Sequence, residues 1–509
     1  MEIMQKIVDT INTYLSDYVL LILLIGVGLF YSVRTKFVQV RCFGEGMKNV
    51  FGHIKLKGDK RKGGLSSFQA LATAIAAQVG TGNIVGACGA ILVGGPGAIF
   101  WMWIIAFFGM ATIYSEAVLA QKTRVTNEDG SVEGGPIYYI RTAFKGKFGK
   151  YLAGFFAVAA VFALGFVGAM VQSNSIAENA AGAVASFGAG ETAQTVVKIV
   201  MGVVIAALAG LVLMGGTKRL ASVTEKLVPV MAALYLLGGI VILCVRIQYV
   251  PAAIGMIFKY AFLPRAITGG AIGYAIKTAL TQGAKRGLFS NEAGMGSTPH
   301  AHALADVKDP HEQGCTAMIG VFIDTFVVLT MTALIVICTL FAKDGPLGQM
   351  IALNEAAGNS FVLKDLAGAA GISGANMAQK AFVMAFGGGK GATIFGSVFV
   401  AVCLLFFAFS TILSWNYFGK VNFLHLFGKK KGAMYAYMGI AVVFVFLGSI
   451  FSNDLVWALT DMFNNLMVIP NAIAMFALSA MVVSAVHFGK KKDACELPAD
   501  APQSVTEEE

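Results

Sequence analysis

The sequence predicts an all-α polytopic membrane protein of about eleven transmembrane helices, an extra N-terminal helix followed by two inverted halves of five, each half with one broken helix. Three observations carry this. Of 509 residues, 57% are hydrophobic and only 13% charged, a balance foreign to soluble domains. Apolar runs of about 20 residues, enough to cross about 30 Å of hydrocarbon, recur from end to end. Glycine-rich interruptions fall at the start of both halves, the pattern of a secondary transporter.

The elements follow in order. The opening MEIMQKIVDTINTY lacks a basic leader region and no cleavage site follows, so the run 14–32 is read as a retained span. Residues 1–64 comprise that helix and a loop rich in Arg34, Lys36, Arg41, Lys48, Lys55 and Lys57, which the positive-inside rule assigns to the cytoplasm. Spans 65–92, 97–120, 152–179, 193–213 and 226–246 form a first repeat, 65–246. Spans 250–288, 315–342, 391–417, 433–451 and 457–487 form a second, 247–487, entering in the opposite sense. Within it, 343–390 reads as an extracellular lid with short amphipathic helices. The tail 488–509 is acidic and disorder-prone. Alternation puts the N-terminus outside and the C-terminus in the cytoplasm, as for a multi-pass protein of the plasma (inner) membrane.

Several function classes drop out. The net charge of +10 sits in short loops and marks topology rather than nucleic-acid binding. Seven cysteines are scattered without a CxxC pair, so neither a metal cluster nor a disulfide framework is expected. HExxH, GxSxG and phosphate-loop patterns are missing, so the chain is not read as an enzyme. A channel fits poorly with two offset breaks in inverted halves.

The stretch AAQVGTGNIVG (76–86) crowds Gly80, Gly82 and Gly86 around Thr81 and Asn83. One reading is helix packing through the Gly82/Gly86 GxxxG pair. The other is a helix unwound near Gly80 and Gly82, whose free amides bind a carboxylate and whose carbonyls, with the Asn83 oxygen, bind Na⁺. In FSTILSWNYFG (409–419), Ser410, Thr411, Ser414 and Trp415 share a helix face. The hydroxyls serve either as cation ligands or as back-bonds to carbonyls one turn earlier, and Trp415 lines the site or an interfacial belt. Gln172 is a polar amide in an apolar span, bonding either substrate or a neighbouring helix.

The second break is expected in FLPRAITGGAIG (262–273), with Thr268, Gly269, Gly270 and Gly273. The rival TQGAKRG (281–287), carrying Lys285 and Arg286, is read as the cytoplasmic exit. RGLFSNEAGMGS (286–297) suggests no chemistry beyond an inner turn or gate. Asp324, deep in its span, is a proton carrier, a cation ligand or, preferentially, a partner for Lys277. All six histidines fall in loops or at span ends, which leaves no histidine relay and makes Na⁺ the simpler coupling ion.

Residues 66–103, 286–297 and 409–419 together resemble the alanine or glycine:cation symporter family, the sodium:alanine symporters, within the five-plus-five inverted-repeat superfamily that includes the neurotransmitter:sodium symporters. The resemblance spans nearly the whole chain. It implies uptake of alanine or glycine with Na⁺ or H⁺, D-alanine included if stereoselectivity is weak, and neither a cofactor beyond the coupling ion nor an obligatory protein partner. It sets the substrate carboxylate against the amides of Thr81 and Gly82, with Gln78, Gln172 and Trp415 around the substrate. It makes Asn83 a ligand of one sodium site. The carbonyls of Ala76, Val79 and Phe407 and the hydroxyls of Ser410 and Thr411 become the second. Gln78 departs from the superfamily, where a small residue stands.

Overall fold

The computed structural model describes residues 2–52, 65–128, 130–262, 272–357 and 362–486. Helix α1 (Gln5–Arg34) ends where Lys36 and Phe37 take left-handed backbone angles, turning the chain into the amphipathic α2 (Phe43–Phe51). Ser66 and Gln69 form a reciprocal capping box that starts α3 (Ser67–Gln78), satisfying two otherwise orphan amides. After a break, α4 (Gly82–Gly94) continues, bent 45° from α3. Its first turn, Gly82–Gly86, is wound as a π-helix.

Helices α5 (Ala98–Thr123), α6 (Gly146–Ala185), α7 (Glu191–Met214) and α8 (Gly216–Val245) complete the first half. A two-stranded hairpin, β1 (Val125–Thr126) and β2 (Val132–Glu133), links α5 to α6. The second half comprises α9 (Val250–Phe262), α10 (Ile272–Asn291), α11 (Pro310–Leu340), the outer helices α12 (Pro346–Ala356), α13 (Leu363–Ala369) and α14 (Met377–Ala385), then α15 (Lys390–Phe427), α16 (Lys431–Gly448) and α17 (Asn453–Ala477). Helices α6 and α11 also contain π-wound stretches, Val161–Phe166 and Phe322–Leu329.

Among the described residues, eight helices are long and apolar enough to cross a membrane, or nine if the bent pair α3/α4 is one span. The expected spans 250–288 and 457–487 exist as helices without meeting that criterion. Lys277, Lys285 and Arg286 dilute α10, and Asp461, Asn464, Asn465 and Asn471 dilute α17. Segment 343–390 is helical in three places, with Leu347, Leu363, Met377 and Phe382 buried; α14 packs on α11 and α15.

Corresponding helices of the two halves pair with each other: α5 with α11, α6 with α15, α7 with α16, and α4 with α10. The surface is turned inside out relative to a soluble protein. Val200, Val203, Leu211, Leu237 and Ile240 are exposed, while Thr81, Asn83, Gln172, Asp324 and Thr411 are buried. That is the distribution hydrocarbon demands.

An interruption also lies where none was expected. Thr268, Gly269 and Gly270 fall outside the described residues, and Gly273 sits in the first turn of α10. Helix α10 runs unbroken through 281–287 and stops at Asn291. The chain then unwinds through buried residues 292–298, with left-handed angles at Glu292, Gly294 and Gly296, before a short helix Pro299–His302. Gly273 is about 27 Å along the helix axis from that point. RGLFSNEAGMGS thus holds a helix break of its own, while the expected break at 262–273 falls largely outside the described residues.

Candidate functional site

The two breaks meet at the centre of the bundle. A Cβ on Gly82 would lie 2.9 Å from the Ser290 Cα and 3.0 Å from the Phe289 ring, so glycine is required by close approach of α4 to α10. Gly80 is required by the same logic: its Cβ would fall 2.3 Å from Thr411 Oγ1 and 3.2 Å from Gln172 Oε1. Neither glycine adopts a left-handed angle. At Gly86 the nearest atoms are 3.8 Å away, so the GxxxG pair packs a helix only through Gly82.

Side chains satisfy the amides that the first break releases. The Gly80 N–H donates to Asn83 Oδ1 at 2.9 Å, and the Thr81 N–H to Gln172 Oε1 at 3.1 Å, where the Thr81 hydroxyl also donates. Gln172 Nε2 remains buried without a hydrogen-bond partner, as does Gln78 Oε1. Gln78 Nε2 donates to the Asn291 carbonyl at 2.8 Å, tying the first break to the second.

On α15, Thr411 Oγ1 reaches the carbonyls of Ala76 (3.0 Å) and Ala77 (3.3 Å) and that of Phe407 one turn back (3.2 Å). Ser410 Oγ bonds the Phe407 carbonyl at 2.8 Å and lies 3.3 Å from that of Ala76. Back-bonding and cross-helix bonding therefore coexist. Of the expected cation ligands, Ala76, Phe407, Ser410 and Thr411 converge, and Val79 is where α3 ends. These are hard oxygen ligands, the set a cation such as Na⁺ takes. A cation there would take the place of the hydrogen bonds by which the hydroxyls now hold the carbonyls.

Asp324 in α11 forms the second polar centre. Its carboxylate accepts from Asn83 Nδ2 (2.6 Å), Ser290 Oγ (2.9 and 3.0 Å) and Thr325 Oγ1 (2.8 Å). The expected partner Lys277 instead lies over the Tyr18 ring, 4.6 Å from its centroid. An ammonium near the start of α10 is remote from a carboxylate that bonds Ser290 in its last turn.

Trp415 is fully buried and donates from Nε1 to Glu292 Oε1 at 2.5 Å, so it belongs to no interfacial belt. Its ring stands edge-to-face with Phe289 at 5.4 Å. Phe289 in turn lies 4.6 Å from Trp457 of α17. Glu116 of α5 holds the second break by accepting from the amides of Gly294 (3.1 Å) and Gly296 (3.0 Å) and from Asn471 (2.6 Å). Sequence reasoning missed Ser290, Glu292, Glu116 and Thr325; a carboxylate inside a glycine-rich apolar stretch was the available signal for Glu292.

Arg286, expected at the cytoplasmic exit, lies beside Gly86 of α4. It pairs with Asp461 of α17 at 3.1 and 3.2 Å and stacks 4.3 Å over Trp457. Both side chains are largely buried, 15% and 12% exposed. At the basic end lies a cavity lined by Leu65, Glu133, Tyr138, Leu304, Tyr417 and Lys420.

Comparison with known proteins places the chain among transporters. The model of the sodium:alanine symporter family matches residues 1–499. The chain is 39% identical to the sodium/alanine symporter AgcS of Methanococcus maripaludis, over 94% of this chain and 96% of the relative. It is 37% identical to the putative sodium/proton-dependent alanine carrier protein YrbD of Bacillus subtilis, over 94% and 90%. It is 35% identical to the probable sodium/glutamine symporter GlnT of Bacillus subtilis, over 95% and 90%.

Proposed function

The chain belongs to the sodium:alanine symporter family, and from that membership and the geometry of the two breaks we propose that it imports alanine or glycine with Na⁺ by alternating access. At the coarser level it is a cation-coupled amino acid symporter, a multi-pass membrane transporter and not an enzyme.

The observation that carries the reading is the first break. Its Gly80 and Thr81 amides are held by Asn83 and Gln172, and Gln172 Nε2 is a buried donor without a partner. A substrate carboxylate takes the Thr81 amide from Gln172, accepts from the Gly82 amide beside it, and accepts from Gln172 Nε2. Unpartnered buried donors cost about 1–3 kcal/mol, so anion binding relieves a standing penalty. Backbone recognition of a carboxylate is indifferent to the side chain, which leaves room for D-alanine. Trp415 and Phe289 crowd the same centre and favour a methyl group or hydrogen over a longer chain such as glutamine's.

Na⁺ is carried as cargo between the Ala76, Val79 and Phe407 carbonyls and the Ser410 and Thr411 hydroxyls, joining the broken helix to α15. Asn83 and Asp324 offer a second cation position. Coupling then follows from differential affinity: an ion bridging α3 and α15 favours the state in which the break is shaped for substrate. A second reading, proton coupling through Asp324, is supported by its burial and three donors.

The test is uptake of labelled alanine, glycine and glutamine into proteoliposomes under inward Na⁺ or H⁺ gradients. Saturable Na⁺-driven alanine uptake, lost in Thr411→Ala, is expected. Proton-driven uptake indifferent to Thr411 but abolished by Asp324→Asn would move coupling to Asp324. Glutamine uptake exceeding that of alanine and glycine would overturn the substrate assignment.

A further inference from the structure

At the basic end of the bundle, away from the transport site, two segments distant in sequence bring four metal-ligating side chains to one point. Cys42 and Glu45 lie at the start of α2; His311 and Cys315 are one turn apart on one face of α11. Their ligand atoms all lie within 4.8 Å of one another. His311 Nε2 is 3.5 Å from Cys315 Sγ and 3.5 Å from Glu45 Oε2. A tetrahedral zinc ion with bonds of about 2.3 Å to sulfur and about 2.0 Å to nitrogen or oxygen sets ligand atoms about 3.3–3.8 Å apart.

The surroundings are built to hold this set. Gly46 lets α2 approach, since a Cβ there would lie 2.6 Å from the Cys315 carbonyl oxygen. Cys42, His311 and Cys315 are buried, whereas the Glu45 side chain is 46% exposed, leaving one open side for entry. The Tyr114 hydroxyl lies 2.7 Å from His311 Nδ1, the outer hydrogen bond that orients a ligating imidazole. Two thiols and an imidazole select a soft or borderline divalent ion over Na⁺, Mg²⁺ or Ca²⁺.

We propose that Cys42, Glu45, His311 and Cys315 form a tetrahedral site for a divalent cation of the Zn²⁺ class, which staples α2 to α11, with Glu45 as the exchangeable ligand. The expectation from cysteine spacing was that no metal cluster forms. The pattern escapes because its ligands come from two remote pairs.

The experiment uses the full-length chain purified in detergent under reducing conditions, loaded with Zn²⁺ for metal analysis and with Co²⁺ for absorption spectroscopy. One metal per chain is expected, with thiolate-to-cobalt charge-transfer bands and tetrahedral d–d bands. Both disappear in Cys42→Ser and in Cys315→Ser but persist in Cys244→Ser. Tyr114→Phe, which keeps the packing, weakens affinity by about 10–100-fold, and Glu45→Gln, on the exposed side, also weakens it. The two conservative variants keep the test valid should a cysteine variant misfold. Absence of stoichiometric metal in the wild type, unchanged loading in the Cys42→Ser, Cys315→Ser double variant, or a Cys42–Cys315 disulfide in the reduced preparation would each overturn the proposal.

Discussion

Adding one methyl group at Gly80 places a carbon 2.3 Å from Thr411 Oγ1, a distance no neighbour tolerates. Thr411 would have to withdraw from the Ala76 carbonyl, and Gln172 from Thr81. Gly80→Ala is therefore expected to reduce alanine uptake at least about tenfold, about 1.4 kcal/mol of lost site energy, in protein that still elutes as a folded species. Thr411→Ser keeps the hydroxyl and should retain uptake, whereas Thr411→Ala should abolish Na⁺-driven uptake. Much of this site was legible in the residue types. Glycines, amides and hydroxyls in apolar runs flagged 76–86, Gln172 and 409–419. The reason for the glycines was not: chain breaking was inferred, and close approach across helices is what the coordinates require. That distance depends on α10 and α15, which local sequence does not contain.

Helix α10 teaches the same lesson one level up. Density of glycine and proline pointed to 262–273 as the second break, and the charge of Lys285 and Arg286 to an aqueous exit. The first falls largely outside the described residues; the second treats a segment in isolation. Arg286 is tolerated inside the bundle because Asp461 neutralises it and Trp457 stacks beneath it, and the break falls after Asn291 because Glu116 supplies acceptors for the unwound amides. Those partners come from α5 and α17 and are invisible in α10. Breaking a buried ion pair typically costs about 3–5 kcal/mol; with these side chains slightly exposed, the lower end applies. Asp461→Asn should lower the melting temperature in detergent by several degrees and depress transport with it. Reversing both charges should recover part of the stability. A thermal unfolding scan that shows no difference between Asp461→Asn and wild type would rule out a structural role for the pair.

For the whole molecule, hydropathy alone established an all-α membrane protein, and the odd number of helices per half gave the inverted sense of the second. Pairing of α5 with α11, α6 with α15 and α7 with α16 follows from that relation, though no sequence similarity between the halves suggested it. Orientation rests on the basic loop and can be tested directly. In a Cys244→Ser background, a cysteine at Lys147 should react with a membrane-impermeant maleimide only from the cytoplasmic side, and one at Ala357 only from outside. The reverse labelling would invert the predicted topology. Helix ends differ from the apolar runs: α15, Lys390–Phe427, extends beyond the run 391–417. The π-wound turn Val161–Phe166 has a different kind of consequence. Such a turn is equivalent to an α-helix carrying one inserted residue. Losing a residue elsewhere in a span swings everything beyond it by about 100°, but losing one here restores regular winding and leaves Gln172 aimed at the centre. Single-residue deletions in α6 should accordingly be absorbed at 161–166 and rejected on either side of it.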